Sequence, residues 1–195
     1  MRRDRTLADK GTRMIVSLVG PPLAGKRTLG RALADAANLA FVDHESIHQT
    51  ISRRHSVAAR RAAALVERGE PVPDEVLGSV IHECIGERDA VLVGYPRTER
   101  QLQSMEDCGG AFVLACIMLE ASRELVDARR AARGLSAVEQ DHPGALTRIA
   151  SMLAPVLARA EARQSLLRLD AALPMPDLLG AAESFLRNVR GRSTP

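Results

Sequence analysis

The chain has 195 residues, enough for one domain with a full core, and its mild net charge of +3 suits an anion pocket as well as a nucleic-acid surface, so it decides little. Hydrophobic residues make up 46% but aromatics only 2%, so the core is aliphatic and rings for stacking single-stranded bases are scarce. Cys84, Cys108 and Cys116 have no metal-ligand spacing and no even count, which predicts reduced thiols and a cytoplasmic location. The longest apolar run, Ala111 to Leu119, is too short to cross a bilayer, so no membrane association is expected.

Residues 1–13 are charged and lack an apolar secretory segment; Asp4 and Asp9 argue against an organellar leader, and a disordered tail is expected. Met14-Ile15-Val16-Ser17-Leu18-Val19 reads as a buried parallel strand over 14–19. Next comes Gly20-Pro21-Pro22-Leu23-Ala24-Gly25-Lys26-Arg27-Thr28, and then Leu29, Ala32, Leu33 and Ala36 at helical spacing, predicting a helix over 25–38. Strand, glycine-containing loop and helix start are the context a G-x-x-x-x-G-K match requires: amides at the helix N-terminus hold a phosphate and Lys26 adds a point charge. Only Lys10 and Lys26 among the 27 basic residues are lysine, so chance would put one at position 26 only about one time in fourteen.

A strand over 40–43 and helices over 45–54 and 56–68 follow, their Arg53-Arg54 and Arg60-Arg61 pairs reading as solvated faces. His44 and His48 are one helical turn apart, but no Cys or Glu completes a ligand pattern, so no protein-held metal site is expected. Gly69-Glu70-Pro71-Val72-Pro73 is a turn, with Asp74 placed to cap a helix over 74–86. A strand over 89–94 runs into Tyr95-Pro96-Arg97-Thr98, where the Arg97 guanidinium would face phosphates held by the loop. Then come a helix over 98–107, a strand over 111–119 and a helix over 121–133. A helix over 143–164 carries Ile149, Leu153, Val156 and Leu157 on one stripe, and Pro155 is expected to kink it. A strand over 166–170, a helix over 176–190 and a tail over 191–195 close the chain. The alternation predicts an α/β fold with a five-stranded parallel sheet flanked by helices. Ligands bind beyond the carboxyl ends of such strands, so Gly20, Asp43, Gly94 and Leu119–Glu120 should ring the site. The arginines are scattered over several helices, which argues against nucleic acid as a partner.

Over residues 14–190 these pieces resemble the adenylate kinase and nucleoside monophosphate kinase family. The family loop G-x-P-G-x-G-K-G-T reads here G-P-P-L-A-G-K-R-T, with the hydroxyl residue delayed to Thr28. The family's D-G-F-P-R-T-x-x-Q is matched by Val93-Gly94-Tyr95-Pro96-Arg97-Thr98-Glu99-Arg100-Gln101, its G-x-x-V-x-D-E turn by residues 69–75, and its late Ala-Pro step by Ala154-Pro155.

The resemblance implies a P-loop NTPase-type three-layer sandwich, acceptor-binding helices over about 44–75 and a short lid over about 134–142 without zinc. It implies a monomeric phosphotransferase that uses ATP and Mg²⁺ and moves the γ-phosphoryl group to a nucleoside monophosphate. Gln101 points to AMP as the acceptor. Gly20, Gly25, Lys26, Arg27 and Thr28 would form the ATP-phosphate site. Arg97 would grip the acceptor phosphate, Gln101 would read its base, and Val72 and Gly94 would line the base pocket. Arg148 would approach the transferring group.

Departures from the family pattern bear on catalysis, because phosphoryl transfer is mostly positioning and charge neutralisation. The strand-end Asp that orders Mg²⁺ is Val93 here; Asp43 and Glu120, ending neighbouring strands, are the surrogates. The acceptor-phosphate arginine falls on Gln49, with Arg53 one turn later, and two lid-side arginines fall on Ala128 and Ala132, beside Arg129 and Arg133. Leu23 and Arg27 replace loop glycines; Leu23 would strain the turn, while Arg27 either adds charge at the phosphates or points to solvent. The alternative function is a catalytically weakened nucleotide-binding module with a regulatory or assembly role.

Overall fold

The computed structural model describes residues 13–109, 112–135 and 145–192. Five strands, β1 (Arg13–Val19), β2 (Ala40–Val42), β3 (Ala90–Val93), β4 (Phe112–Glu120) and β5 (Leu166–Asp170), alternate with eight helices among those residues. The helices are α1 (Lys26–Ala37), α2 (His44–Arg53), α3 (Val57–Glu67), α4 (Asp74–Ile85), α5 (Glu99–Gly109), α6 (Arg123–Ala132), α7 (Ala145–Ala162) and α8 (Met175–Arg192). The sheet is entirely parallel with strand order β2-β3-β1-β4-β5, as the alternation implied. Ends differ from expectation by one or two residues; the most extended is α8, which reaches Arg192, inside the expected 191–195 tail. Most of the 1–13 tail and the lid beyond Leu135 lie outside the described residues.

β1 is the central strand, and its apolar side chains are buried on both faces. On one face α1 and α8 bury Leu29, Leu33, Leu178, Ala182 and Leu186 against Val16, Leu18, Val91 and Ile117. On the other, α4 and α5 cover Ile15, Ala90 and Leu92, while α7 packs Leu153 and Leu157 over Val19 and Cys116. Gly30 lets α1 approach the sheet closely: a β-carbon there would stand 2.9 Å from Val93 Cγ2. A separate small cluster of Ala62, Val76 and Val80 joins α3 to α4, with Ile47, Ile51 and Val72 packed against it. α7 runs through Pro155, which stands on an exposed face of a single helix. Among the described residues no helix is long and apolar enough to cross a membrane.

Two local expectations are corrected. Asp43 does not end β2; it is the N-cap of α2, accepting from the Ser46 amide at 3.0 Å and the Ser46 hydroxyl at 2.9 Å. Asp74 does not cap α4. Pro73 holds the cap position, and Asp74, the first helical residue, turns its carboxylate toward Gln101.

Candidate functional site

The carboxyl ends of β1 and β3 are tied before any side chain enters the site. The Gly94 amide donates to the Leu18 carbonyl at 2.8 Å, and the buried Ser17 hydroxyl donates to the Tyr95 carbonyl at 3.0 Å. From β1 the chain turns at Gly20 with φ 142°, where a β-carbon would lie 2.3 Å from the Leu119 carbonyl oxygen, so only glycine fits. The loop closes at Gly25, the N-cap of α1, which offers no side-chain bond to the first helical turn. A glycine N-cap in place of Ser, Asp or Asn costs roughly a few tenths of a kcal/mol. Full burial of Leu29 and Leu33, worth about 1.5–3 kcal/mol each, outweighs it. The first-turn amides, which have no intrahelical partner, are therefore left for an anion.

Lys26 folds back over this loop. Its Nζ donates to the carbonyls of Gly20 at 2.9 Å and Pro21 at 2.5 Å. Burial, and secondarily the Arg97 cation, pull its pKa down to about 8. Arg97 is fixed from the β3 side: its Nε donates to the Gly94 carbonyl at 2.7 Å and its amide to Gln101 Oε1 at 2.8 Å. Gln101 Nε2 in turn donates to Asp74 Oδ1 at 3.2 Å, which joins this turn to α4. α7 supplies the opposite wall. Together Gly20, Lys26, Gly94, Arg97, Arg148 and Met152 lie on a cleft of about 610 Å³, three cations around one concavity. Such a cleft suits a polyphosphate.

The other expected residues fall in different places. Arg129 lies behind the loop, donating to the carbonyls of Leu23 at 3.0 Å and Ala171 at 2.7 Å, so it braces the turn by backbone bonds. Arg133 is exposed at the end of α6, and Thr28 is exposed on the first turn of α1. Arg27 is exposed, as its second alternative had it, and its Nε pairs with Asp43 Oδ2 at 2.8 Å. Leu23 does take the left-handed conformation, φ 61°, as its strained position implied.

On the acceptor helices, Gln49 is exposed and donates to Glu45 Oε1 at 3.2 Å, while Arg53 is exposed at the end of α2. Val72 packs against the α3–α4 cluster. Ser17 and the α7 residue Met152 are site features that the sequence reading missed. Ser17 sits inside an apolar strand run, and Met152 lies beside a stripe that reads as core.

The residues present do not fit a protein-held Mg²⁺. Val93 is apolar and wedged against α1. Burial works against the charged form of Asp43, but the Ser46 bonds and the Arg27 and Arg31 cations prevail and hold its pKa below the usual carboxylate value. Asp43 is thus engaged on several sides. Glu120 pairs with Arg168 Nη1 at 3.1 Å. Among the described residues no group of three or more His, Cys, Asp and Glu side chains is arranged to hold a metal.

No protein-family model matches the chain. It is similar to the adenylate kinase of Deinococcus radiodurans, 31% identical over 132 residues that cover 65% of this chain and 67% of the relative. It is also similar to the adenylate kinase of Thermotoga petrophila, 29% identical over 123 residues covering 59% of this chain and 56% of the relative. The adenylate kinase of Trypanosoma brucei rhodesiense is 28% identical over 108 residues, covering 53% of this chain and 52% of the relative. In these last two the chain spans little more than half of the relative's length.

Proposed function

This chain belongs to the adenylate kinase family, and from that premise we propose that it is an ATP-dependent phosphotransferase moving the γ-phosphoryl group to a nucleoside monophosphate, with AMP as the acceptor. The observation that carries the reading is the convergence of Lys26, Arg97 and Arg148 on one cleft beside an uncapped helix N-terminus. Phosphoryl transfer asks the protein chiefly to position two anions and neutralise charge between them, and this cleft is equipped for both. In this reading Lys26 and the loop amides hold the donor phosphates, Arg97 holds the acceptor phosphate and Arg148 neutralises the group in flight. Arg129 contributes by bracing the loop. Gln49, Arg53, Val72, Gln101 and Arg133 are assigned to acceptor binding and closure on the resemblance alone. The test is diphosphate formation from ATP and Mg²⁺ with AMP, CMP, UMP, GMP or dTMP. Turnover is expected with AMP above the others; no diphosphate with any acceptor would sink the reading.

A second reading, a nucleotide-binding module with weakened catalysis, is favoured by one observation. Val93 is packed against Gly30 where the family pattern has a carboxylate. Wild-type turnover comparable with that of other adenylate kinases would eliminate it.

A further inference from the structure

The cleft is unbalanced in charge. Lys26, Arg97 and Arg148 line it, and its described lining includes no aspartate or glutamate. At the end of β3 stands Val93, half-buried, with one methyl group against α1 and its side chain packed on the core. Two other strand ends carry acids that already have a cation, Asp43 with Arg27 at 2.8 Å and Glu120 with Arg168 at 3.1 Å, while Asp170 at the edge-strand end accepts from the Ala172 amide at 2.9 Å and does not line the cleft. Mg²⁺ in a nucleotide site is normally held by one or two protein carboxylates, directly or through water, together with the phosphate oxygens. Here the described lining of the cleft offers no such carboxylate. The like-charge crowding of Lys26 by Arg97, which adds to burial in pulling the lysine pKa down, is the mark of a positive field with no counter-charge.

We propose that this cleft binds the nucleotide's polyphosphate as a metal-free anion, its charge met by Lys26 and Arg148 in the field of the neighbouring acceptor-phosphate cation Arg97. The proposal rests on the nucleotide-site reading above and specifies the ionic form of the ligand. Mg²⁺ removes two of the negative charges of ATP, and with no carboxylate in the described lining to welcome the ion it weakens the attraction to the three cations and returns nothing. ATP without metal should therefore bind this chain at least as tightly as MgATP.

The experiment is calorimetric titration of the full chain with ATP in excess EDTA and in millimolar Mg²⁺ at one ionic strength. The expected result is an affinity in EDTA that equals or exceeds the Mg²⁺ value by up to about tenfold. A loss of more than about threefold on chelation would overturn the proposal while leaving the nucleotide site standing. Absence of ATP binding in both conditions would overturn the proposal and the nucleotide reading together. Val93→Asp supplies a second arm: with a carboxylate restored at the end of β3, Mg²⁺ should change from indifferent or unfavourable to favourable. A folded Val93→Asp protein whose preference stays as in wild type would contradict the role assigned to the missing carboxylate.

Discussion

The phosphate loop and the acceptor helices are both hung from carboxyl ends of one sheet, but they are held by different means. The loop is held at its backbone groups: Gly20 threads past the Leu119 carbonyl, the Lys26 side chain bonds two loop carbonyls, and the Arg129 side chain bonds the carbonyls of Leu23 and Ala171. The α2–α3 arm rests on a small cluster around Ala62, Val76 and Val80, and its polar side chains Gln49 and Arg53 stay exposed. Backbone geometry needs glycines and a fixed spacing, so it shapes a site even before ligand arrives. A site built from long side chains on a lightly packed arm has no such constraint, and its residues come together only when something draws them.

That contrast can be broken at its strongest point first. Gly20→Ala drives a β-carbon to 2.3 Å from a backbone oxygen that cannot move without disturbing β4, so a loss of about 3 kcal/mol or more is expected in urea denaturation. A loss under about 1 kcal/mol would show that the loop is softer than its geometry implies.

The next effect is on binding. Lys26 has a pKa near 8 in the free protein, and a bound polyanion favours its charged form, raising that value. Between about pH 7, where the terminal phosphate of ATP is fully ionised, and pH 8 affinity should thus be flat, and above that it should fall by up to about tenfold per unit until the raised pKa is passed. A profile that stays flat to pH 10 would remove the lysine from the site.

A smaller effect separates the arm from the loop. Asp43→Ala removes the cap of α2 and its pair with Arg27, costing about 1–2 kcal/mol at neutral pH. Because the folded state lowers the Asp43 pKa, its contribution is present above the unfolded value near 3.8 and is lost as pH falls through the folded one. The stability gap between wild type and variant should therefore close only in acid. The smallest effect is Leu23→Gly. Relief of a left-handed leucine, about 1 kcal/mol, is offset by the entropy of the new glycine, leaving a gain of a few tenths in denaturation midpoint experiments.

The same division explains what could be read from the chain alone. The β1–loop–α1 unit was legible because its signals are local: a β-branched run, two glycines at fixed separation and an apolar helical stripe. The strand count and helix order followed from alternation for the same reason. The Arg27 ion pair was not legible, since its partner Asp43 belongs to a different element and only the packing of α1 beside β2 brings them together. Asp43 itself carried a signal that was passed over, the Asp-x-x-Ser spacing to Ser46 that marks a helix start. Gln101 was read as a base-contacting residue by its motif. In this structure its amide is engaged by the Arg97 backbone and Asp74, a junction between two turns that no single segment announces.

The proposed role of Lys26, the first residue of α1, is to anchor a nucleotide phosphate site. It is tested most directly by calorimetric ATP affinity of Lys26→Ala beside wild type, with circular dichroism to show that both are folded. Loss of a half-buried charge-assisted contact should weaken binding by about 10- to 100-fold with the helical signal intact. Equal affinity in the two proteins would contradict the assignment.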